Sequence, residues 1–482
     1  MFHQVAELAQ GAVAADAQQR AAEQWLAGGY VARGLAEMEG LLATAGLAKV
    51  GRRGASLGRM LVERARLRSR GLELRAARVH DEARATRIDA AWALSCAFAL
   101  VDPFRAGTLH AVGLREALDT GDTERAMRAL AAEVMYSAMF GMRAWGRTRE
   151  LLRVVDRLAD VLATGEAKRI AASVHGVARV QVGLFEAGST HLLMASEGLE
   201  RREGGRAVSS GPPSWSSTDG IAGEAPGASD IWQTLVLDHF GSFALYYLGQ
   251  FDELVARVEA GHRQAVTRKN RHRESDFALH HATVPWLLTE GAQGARARAT
   301  RALAFWSGIG PCVQHYNALV SRASIALFEG EPRRSFDDVI RNLGLITSKL
   351  VVGVDGLRVD AAHLVARASL AVLREGFEVR AAASAVLAIA ALALEQAPHA
   401  RPLATMHLGV LAHLAKDRER ALGLLERARR DFEAQGLRGY AAACEGGAAA
   451  ARGGAFDLSA LEKVSSRASI GLARLLAPGL VA

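Results

Sequence analysis

Residues 417–443 read DRERALGLLERARRDFEAQGLRGYAAA, and apolar or small side chains recur there at every third or fourth position. These positions are Ala421, Leu424, Ala428, Phe432, Gly436 and Tyr440. Such spacing places them on one face of a helix, whereas a strand would alternate at every second residue. Because Ala421 and Ala428 are small and Phe432 and Tyr440 are large, we expect two helices to pack closely here.

Helical spacing continues along the whole chain of 482 residues, and no convincing strand pattern interrupts it. Half of the residues are hydrophobic but only 6% are aromatic, so alanine and leucine supply most of the apolar surface. Both residue types favour helices. The sequence therefore predicts an all-α fold.

Helix-breaking turns recur in the C-terminal half of the chain at intervals of 37 to 46 residues. They fall at Gly249, Gly291, Gly330, Gly376, Lys416 and Gly453. Glycine is favoured after a helix because it reaches the left-handed conformation without a Cβ penalty. One tight turn per unit of about 40 residues predicts antiparallel helix pairs that stack into a solenoid.

One segment interrupts this pattern, because residues 203–229 hold six glycines, six serines and three prolines. This composition is typical of a flexible loop. We therefore predict an N-terminal helical arm over residues 1–202, a flexible loop over 203–229 and a C-terminal helical arm over 230–482.

The formal net charge is +8, and the basic residues are concentrated between Lys49 and Arg87, where twelve Lys or Arg accompany four Asp or Glu. A solvated or intramolecularly paired helix face, an acidic partner or a nucleic acid could each explain this excess. The stretch contains no Phe, Trp or Tyr on which bases could stack, so nucleic acid is the least favoured partner.

The sequence lacks the motifs of nucleotide-binding and phosphotransfer enzymes, and the GxSxG match at residues 54–58 follows no predicted strand, which favours an interhelical loop. None of the six lysines follows a glycine, so there is no P-loop, and no glycine-rich loop, HRD or DFG sequence of a protein kinase is present. Asp276 and His280 would share a helical face and could supply two metal ligands, but the sequence shows no third or fourth ligand nearby. We predict no catalytic, cofactor-binding or metal site.

The three cysteines are widely separated, the N-terminus lacks the pattern of a signal peptide, and no apolar run is long enough for a membrane span. We therefore expect a cytoplasmic protein that does not associate with membranes.

The segment 417–443 resembles the second half of a tetratricopeptide repeat. Residues 87–105 and 306–330 resemble the helical C-terminal region of large bacterial serine/threonine protein kinases, in which a kinase domain precedes an ATPase module. The residues that carry this second resemblance are Arg87, Asp89, Trp92, Asp102, Arg105, Trp306, Gln314, His315 and Tyr316. The resemblance implies a sensor or docking arm that binds a protein or peptide, either as a stand-alone component or as a fragment whose kinase and ATPase domains are encoded upstream.

Two alternatives remain: a serine/threonine kinase by family whose catalytic domains are missing from this chain, and the helical sensor arm of a transcription regulator. Trp306, Gln314, His315 and Tyr316 could line a concave binding surface, although large aromatic residues at helical spacing also form cores. For Asp102 and Arg105 we predict a structural role, as an ion pair that fixes the turn between two helices.

Overall fold

The computed structural model describes residues 11–49, 57–75, 81–99, 102–207, 228–307 and 310–481, and these ranges are predominantly helical. They contain no β-strand, only an isolated bridge between Pro478 and Val481. The all-α prediction is therefore confirmed. None of the helices in these ranges is long and apolar enough to cross a membrane.

The helices before residue 208 are α1 (Gly11–Ala27), α2 (Val31–Thr44), α3 (Leu57–Arg70), α4 (Glu82–Phe98), α5 (Pro103–Thr120), α6 (Thr123–Ala138), α7 (Trp145–Leu162), α8 (Gly165–Gln181) and α9 (Phe185–Ala207), with a 3-10 helix at Gly141–Ala144. The helices from residue 228 to residue 329 are α10 (Ala228–Leu248), α11 (Phe251–Thr267), α12 (Arg271–Asp276), α13 (Thr283–Thr289), α14 (Gly291–Ala304) and α15 (Val313–Glu329), with a 3-10 helix at His280–Ala282. The remaining helices are α16 (Pro332–Arg341), α17 (Leu343–Ile346), α18 (Lys349–Gly353), α19 (Asp355–Glu375), α20 (Val379–Leu394), α21 (Ala400–Leu414), α22 (Arg418–Glu433), α23 (Arg438–Ala451), α24 (Ser459–Glu462) and α25 (Ile470–Leu476).

A helix ends or begins at or near each of the six predicted breaks in the C-terminal half. Four of the glycines adopt the left-handed conformation: Gly249, Gly291, Gly330 and Gly453. Lys416 does the same with φ 61° although it has a side chain, whereas Gly376 is extended with φ 167°. Five of the six positions therefore use the backbone conformation that the sequence pattern predicts.

Asp102 and Arg105 help to set the turn between α4 and α5. The Asp102 carboxylate accepts a hydrogen bond from the backbone N–H of Arg105 at 3.1 Å, which caps the first turn of α5. The Arg105 side chain is directed elsewhere, and its guanidinium binds both carboxylate oxygens of Glu39 at 2.6 and 2.7 Å. The predicted ion pair is therefore replaced by a cap within α5 and a salt bridge to α2, because the capping geometry uses the backbone rather than the side chain of Arg105.

The apolar core continues across the boundary predicted at 203–229. One cluster of buried side chains contains Phe185 and Leu192 of α9 together with Leu245 and Tyr247 of α10. The Phe185 and Tyr247 rings are stacked with their centroids 4.6 Å apart. Residues 208–227 lie outside the described ranges, so the predicted flexible loop and the division into two arms stay predictions.

Helices α10 and α23 of the C-terminal half approach each other closely at Gly249 and Gly439. A side chain at Gly249, after α10, would clash with the backbone nitrogen of Gly439 in α23. Gly249 also has φ 73°, so both the conformation and the close approach require glycine there. This contact brings α10 and α23 together although they are far apart in sequence.

Four of the six residues that decided the fold prediction are buried as expected, whereas Leu424 is half-buried and Gly436 lies in the left-handed turn between α22 and α23. Ala421, Ala428 and Phe432 of α22 and Tyr440 of α23 have almost no exposed surface. The rings of Phe432 and Tyr440 lie 5.3 Å apart. The side chain of Arg430 on α22 is 63% exposed, which makes it a matched surface control.

We expect Phe432→Ala to lower the free energy of unfolding by roughly 3–5 kcal/mol because it leaves a cavity. Ala428→Leu should cost about 1–3 kcal/mol by overpacking. Arg430→Ala should stay within about 0.5 kcal/mol. Urea unfolding measures these changes, and hydrogen exchange along the chain locates them. If the helices form stacked pairs, lost protection should concentrate in the helices after residue 400 and in α10, which contacts α23; an even loss along the chain would contradict the repeat arrangement.

Candidate functional site

Buried polar and aromatic side chains from several helices of the C-terminal half converge in one region, which we call the polar centre. It consists of Tyr246, Tyr247, His280, His281, Tyr316, Asp360, His363, Arg367, His399, His407 and Tyr440. Each of these residues is at most 5% exposed. They come from α10, α15, α19, α21 and α23, from the 3-10 helix at His280–Ala282 and from His399 just before α21.

Asp360 of α19 carries the buried carboxylate of the polar centre and is 1% exposed. Its Oδ2 accepts a hydrogen bond from the Tyr316 hydroxyl at 2.6 Å and lies 3.0 Å from Nε2 of His280. Its Oδ1 has no hydrogen-bond partner and lies 3.6 Å from Nε2 of His281. Burial by itself would raise the pKa of Asp360, but its interactions with His280, His281 and Tyr316 lower it below the usual range.

A strained turn presents the two neighbouring histidines to this carboxylate. His280 has φ 61°, in the left-handed region that residues other than glycine seldom adopt. Its backbone N–H donates to Oγ of Ser321 in α15 at 2.8 Å, and the Thr283 hydroxyl lies 2.8 Å from the same oxygen. Because α15 holds the turn in this way, both imidazole rings can point toward α19.

A second group of side chains forms a hydrogen-bonded chain. Nε2 of His407 lies 2.8 Å from Nδ1 of His363, whose Nε2 lies 3.0 Å from the Tyr440 hydroxyl. That hydroxyl donates to the hydroxyl of Tyr246 at 3.3 Å. Two neutral histidines are consistent with this chain of hydrogen bonds. His407 then donates from Nε2 to Nδ1 of His363, and His363 donates from its own Nε2 to the Tyr440 hydroxyl. Burial lowers the pKa of His407 to about 3 and that of His363 well below its ordinary value, which agrees with neutral rings.

Several polar atoms of the polar centre lack a hydrogen-bond partner in the protein. They are Tyr247 Oη, His281 Nε2, Asp360 Oδ1, Arg367 Nε, His399 Nδ1 and His407 Nδ1. Leaving one such atom buried and unpaired costs about 1–3 kcal/mol. Native interiors contain few of them, so their concentration in one region marks it as a candidate functional site.

His280, His281 and Asp360 each offer a potential metal-ligand atom, and these three atoms all lie within 4.8 Å of one another. Sequence spacing did not reveal this group, because Asp360 is distant in sequence from the two histidines. A signal is nevertheless present in α19, where Asp360, His363 and Arg367 follow one another at helical spacing in an otherwise apolar segment.

The four residues predicted for a concave surface occupy different environments. Trp306 is buried and donates from Nε1 to the Ser275 hydroxyl at 2.9 Å. Gln314 is also buried and donates to Asp276 at 2.9 Å. Tyr316 belongs to the polar centre, and His315 is partly exposed beside Cys312. Burial gives Trp306, Gln314 and Tyr316 packing roles, and a binding role for the four together stays a prediction.

Asp276 and His280 do not form the pair that one continuous helix would have given. Helix α12 ends at Asp276, and the chain then turns before His280. Asp276 instead lies 3.5 Å from His272 and accepts the hydrogen bond from Gln314. The assumption of an uninterrupted helix was therefore wrong, and His280 finds its carboxylate on α19.

Arginines of the basic stretch form salt bridges within the chain. Arg64 binds Glu133 at 2.8 Å, Arg70 binds Asp119 at 3.0 Å, and Arg87 binds Glu116 at 3.1 Å. These contacts favour the interpretation as an intramolecular face. Of this stretch the structure describes residue 49 and residues 57–75 and 81–87.

The outer face of α20 exposes a continuous apolar stripe. Val379 is 73%, Leu387 71% and Leu394 80% exposed, and Val386 is exposed beside them. The opposite face of α20 packs through Ala381, Ala385, Ala388, Ile389 and Leu392. No charged residue occurs between residues 381 and 394. Exposed apolar surface of this length is typical of an interaction site.

The buried His399 should make the protein sensitive to acid. Burial lowers its pKa to about 4, so below pH 6.5 the unfolded chain binds a proton that the folded chain excludes, and stability falls as the pH falls. The ring packs beside Phe185 and Tyr247. His399→Phe should therefore reduce the stability lost between pH 7.5 and pH 5 by roughly 1–2 kcal/mol.

Urea unfolding at the two pH values measures this change, with Arg430→Ala as the control because it changes an exposed side chain and removes no histidine. Equal acid sensitivity of His399→Phe and the unmodified protein would contradict a buried neutral His399.

Comparison with protein-family models and with curated protein sequences identified no relative. No protein-family model matches the chain, and no curated protein sequence is significantly similar to it. The resemblance to the helical region of bacterial kinases therefore stays an expectation, and the candidate sites are defined by the geometry of this chain alone.

Proposed function

We propose that this chain is a non-enzymatic protein-interaction and regulatory module, and that the outer face of α20 is its docking surface. The exposed apolar stripe of α20 is the observation that carries the proposal. Burying such a stripe against a partner releases about 25 cal/mol for each Å² of apolar surface removed from water.

The occupant that fits this surface is an amphipathic helix of a partner protein. Val379 and Leu394 each lie seven or eight residues from the adjacent pair Val386 and Leu387, so all four lie on one side of α20. The helix has 16 residues and is about 24 Å long. A second helix packs on a stripe of this kind by placing its own apolar side chains at spacings of three and four residues.

The tetratricopeptide-like solenoid belongs to the same proposal. Its support is the spacing of the left-handed turns and the packing of consecutive helices such as α19 with α20 and α21 with α22. In this proposal the chain acts as the tail-like arm of a bacterial kinase–ATPase signalling protein, with its catalytic domains encoded upstream.

Leu387→Glu should abolish partner binding and leave folding intact, because position 387 is exposed and the new charge would have to lose its water on binding. A photo-crosslinking amino acid at position 394 should capture one discrete partner in cells, and Leu387→Glu in the same chain should eliminate that product. The same photo-crosslinker at position 427, on the exposed surface of α22, provides the control. Identical products from positions 394 and 427, or a product that survives Leu387→Glu, would contradict docking on α20.

The absence of catalysis needs its own test. The purified chain should transfer no phosphate from radiolabelled ATP to itself or to a general protein substrate in the presence of Mg²⁺. Stoichiometric, metal-dependent transfer by the chain alone would overturn the non-enzymatic assignment and favour the kinase alternative.

A further inference from the structure

We propose that His280, His281 and Asp360 bind one divalent transition-metal ion of the zinc class. This inference goes beyond the docking function, because the site lies in the interior and does not depend on the exposed face of α20.

The distances between the three side chains suit such an ion. Zinc binds histidine nitrogen at about 2.0–2.1 Å and carboxylate oxygen at about 2.0–2.2 Å, so the ligand atoms of a tetrahedral site are about 3.3–3.6 Å apart. Nε2 of His280 lies 3.0 Å from Oδ2 of Asp360, and Nε2 of His281 lies 3.6 Å from Oδ1 of the same carboxylate. The three side chains therefore require only small adjustments to share one ion.

Two of the candidate ligand atoms lack any other partner. Nε2 of His281 and Oδ1 of Asp360 are buried without a hydrogen bond, and their separation of 3.6 Å is too long for one. An unpaired imidazole nitrogen and an unpaired carboxylate oxygen that face each other are the donors that a cation would satisfy.

Neighbouring residues hold these ligands in place, as the residues around established metal sites do. The Tyr316 hydroxyl donates to Asp360, and Ser321 accepts the backbone N–H of His280. The ring of His281 is stacked on that of Tyr246 with centroids 4.1 Å apart. Each ligand side chain therefore has a restricted orientation before any ion binds.

The donor set selects the class of metal. Two imidazole nitrogens and one carboxylate oxygen suit Zn²⁺ and similar ions, whereas Ca²⁺ and Mg²⁺ prefer sites made of oxygen atoms. A solvent oxygen would complete the tetrahedron. Because the site is buried, we expect the ion to bind as the chain folds and to stabilise the folded state.

The buried Arg367 does not occupy this position. It is seven residues after Asp360 on α19, which places it about 10 Å further along the helix axis. Its Nη1 donates to the backbone carbonyl of Leu475. Its guanidinium therefore binds the C-terminal segment, while its positive charge still acts on Asp360 and His281 through the interior.

The experiment uses the full chain without a histidine tag, purified from cells grown with added zinc. Metal analysis should find about one zinc ion per chain, and a chelator under partly denaturing conditions should remove the ion and lower the melting temperature. His281→Gln and Asp360→Asn should lose stoichiometric zinc. Tyr316→Phe, which removes a positioning hydrogen bond, should weaken binding by about 10–100-fold.

His262→Gln is the matched control, because it changes a buried histidine of α11 that lies outside the polar centre, and it should retain zinc. X-ray absorption of the zinc-loaded, unmodified protein should show nitrogen and oxygen ligands with two imidazoles and no sulfur, and this measurement does not depend on whether a variant folds. Absence of zinc from the unmodified protein, sulfur among its ligands, or full zinc content in folded His281→Gln would overturn the proposal.

Discussion

The structure of the C-terminal half depends on the compensation of one buried negative charge. The carboxylate of Asp360 lies in the interior, where an unpaired charge is strongly unfavourable. Its compensation comes from the hydrogen bond that Tyr316 of α15 donates, from His280 of the 3-10 helix, and from the positive charge of the buried Arg367. The left-handed backbone of His280 and its hydrogen bond to Ser321 follow from this requirement, because they turn the two imidazoles toward α19.

Stability alone gives no reason for so polar an interior. Replacing a buried charged group and its partners by apolar residues of similar volume is often neutral or stabilising in other proteins. The core around the polar centre consists mainly of alanine, leucine and aromatic residues. Unpaired atoms such as His281 Nε2 and Arg367 Nε therefore favour the interpretation of the polar centre as a candidate binding site.

The sequence predicts the helices and their ends well, because both are determined locally. Apolar spacing in 417–443 depends on neighbouring residues, and the break at Lys416 follows from its position between two helical patterns. The polar centre could not be predicted in the same way. Asp360 meets His280 only because α19 and the turn before α13 pack against α15, and a contact across 80 residues leaves no periodic signal. The sequence contained the polar residues of α19 but not their partners.

Two helices that pack against α20 also contribute side chains to the polar centre: α19, and α21 with His407. One side of α19 carries Asp360 and His363 into the polar centre, while Leu364, Ala368 and Val372 form an apolar cluster that includes Ala381 of α20. Because closely packed interiors do not deform continuously, a displacement of α19 is transmitted to α20. If binding in the polar centre changes the position of α19, it also changes the surface that a partner meets. Thermodynamic linkage then requires the partner to alter binding in the polar centre by the same factor. The packing of α19 against both regions therefore supplies a physical route by which an interaction arm could also act as a sensor.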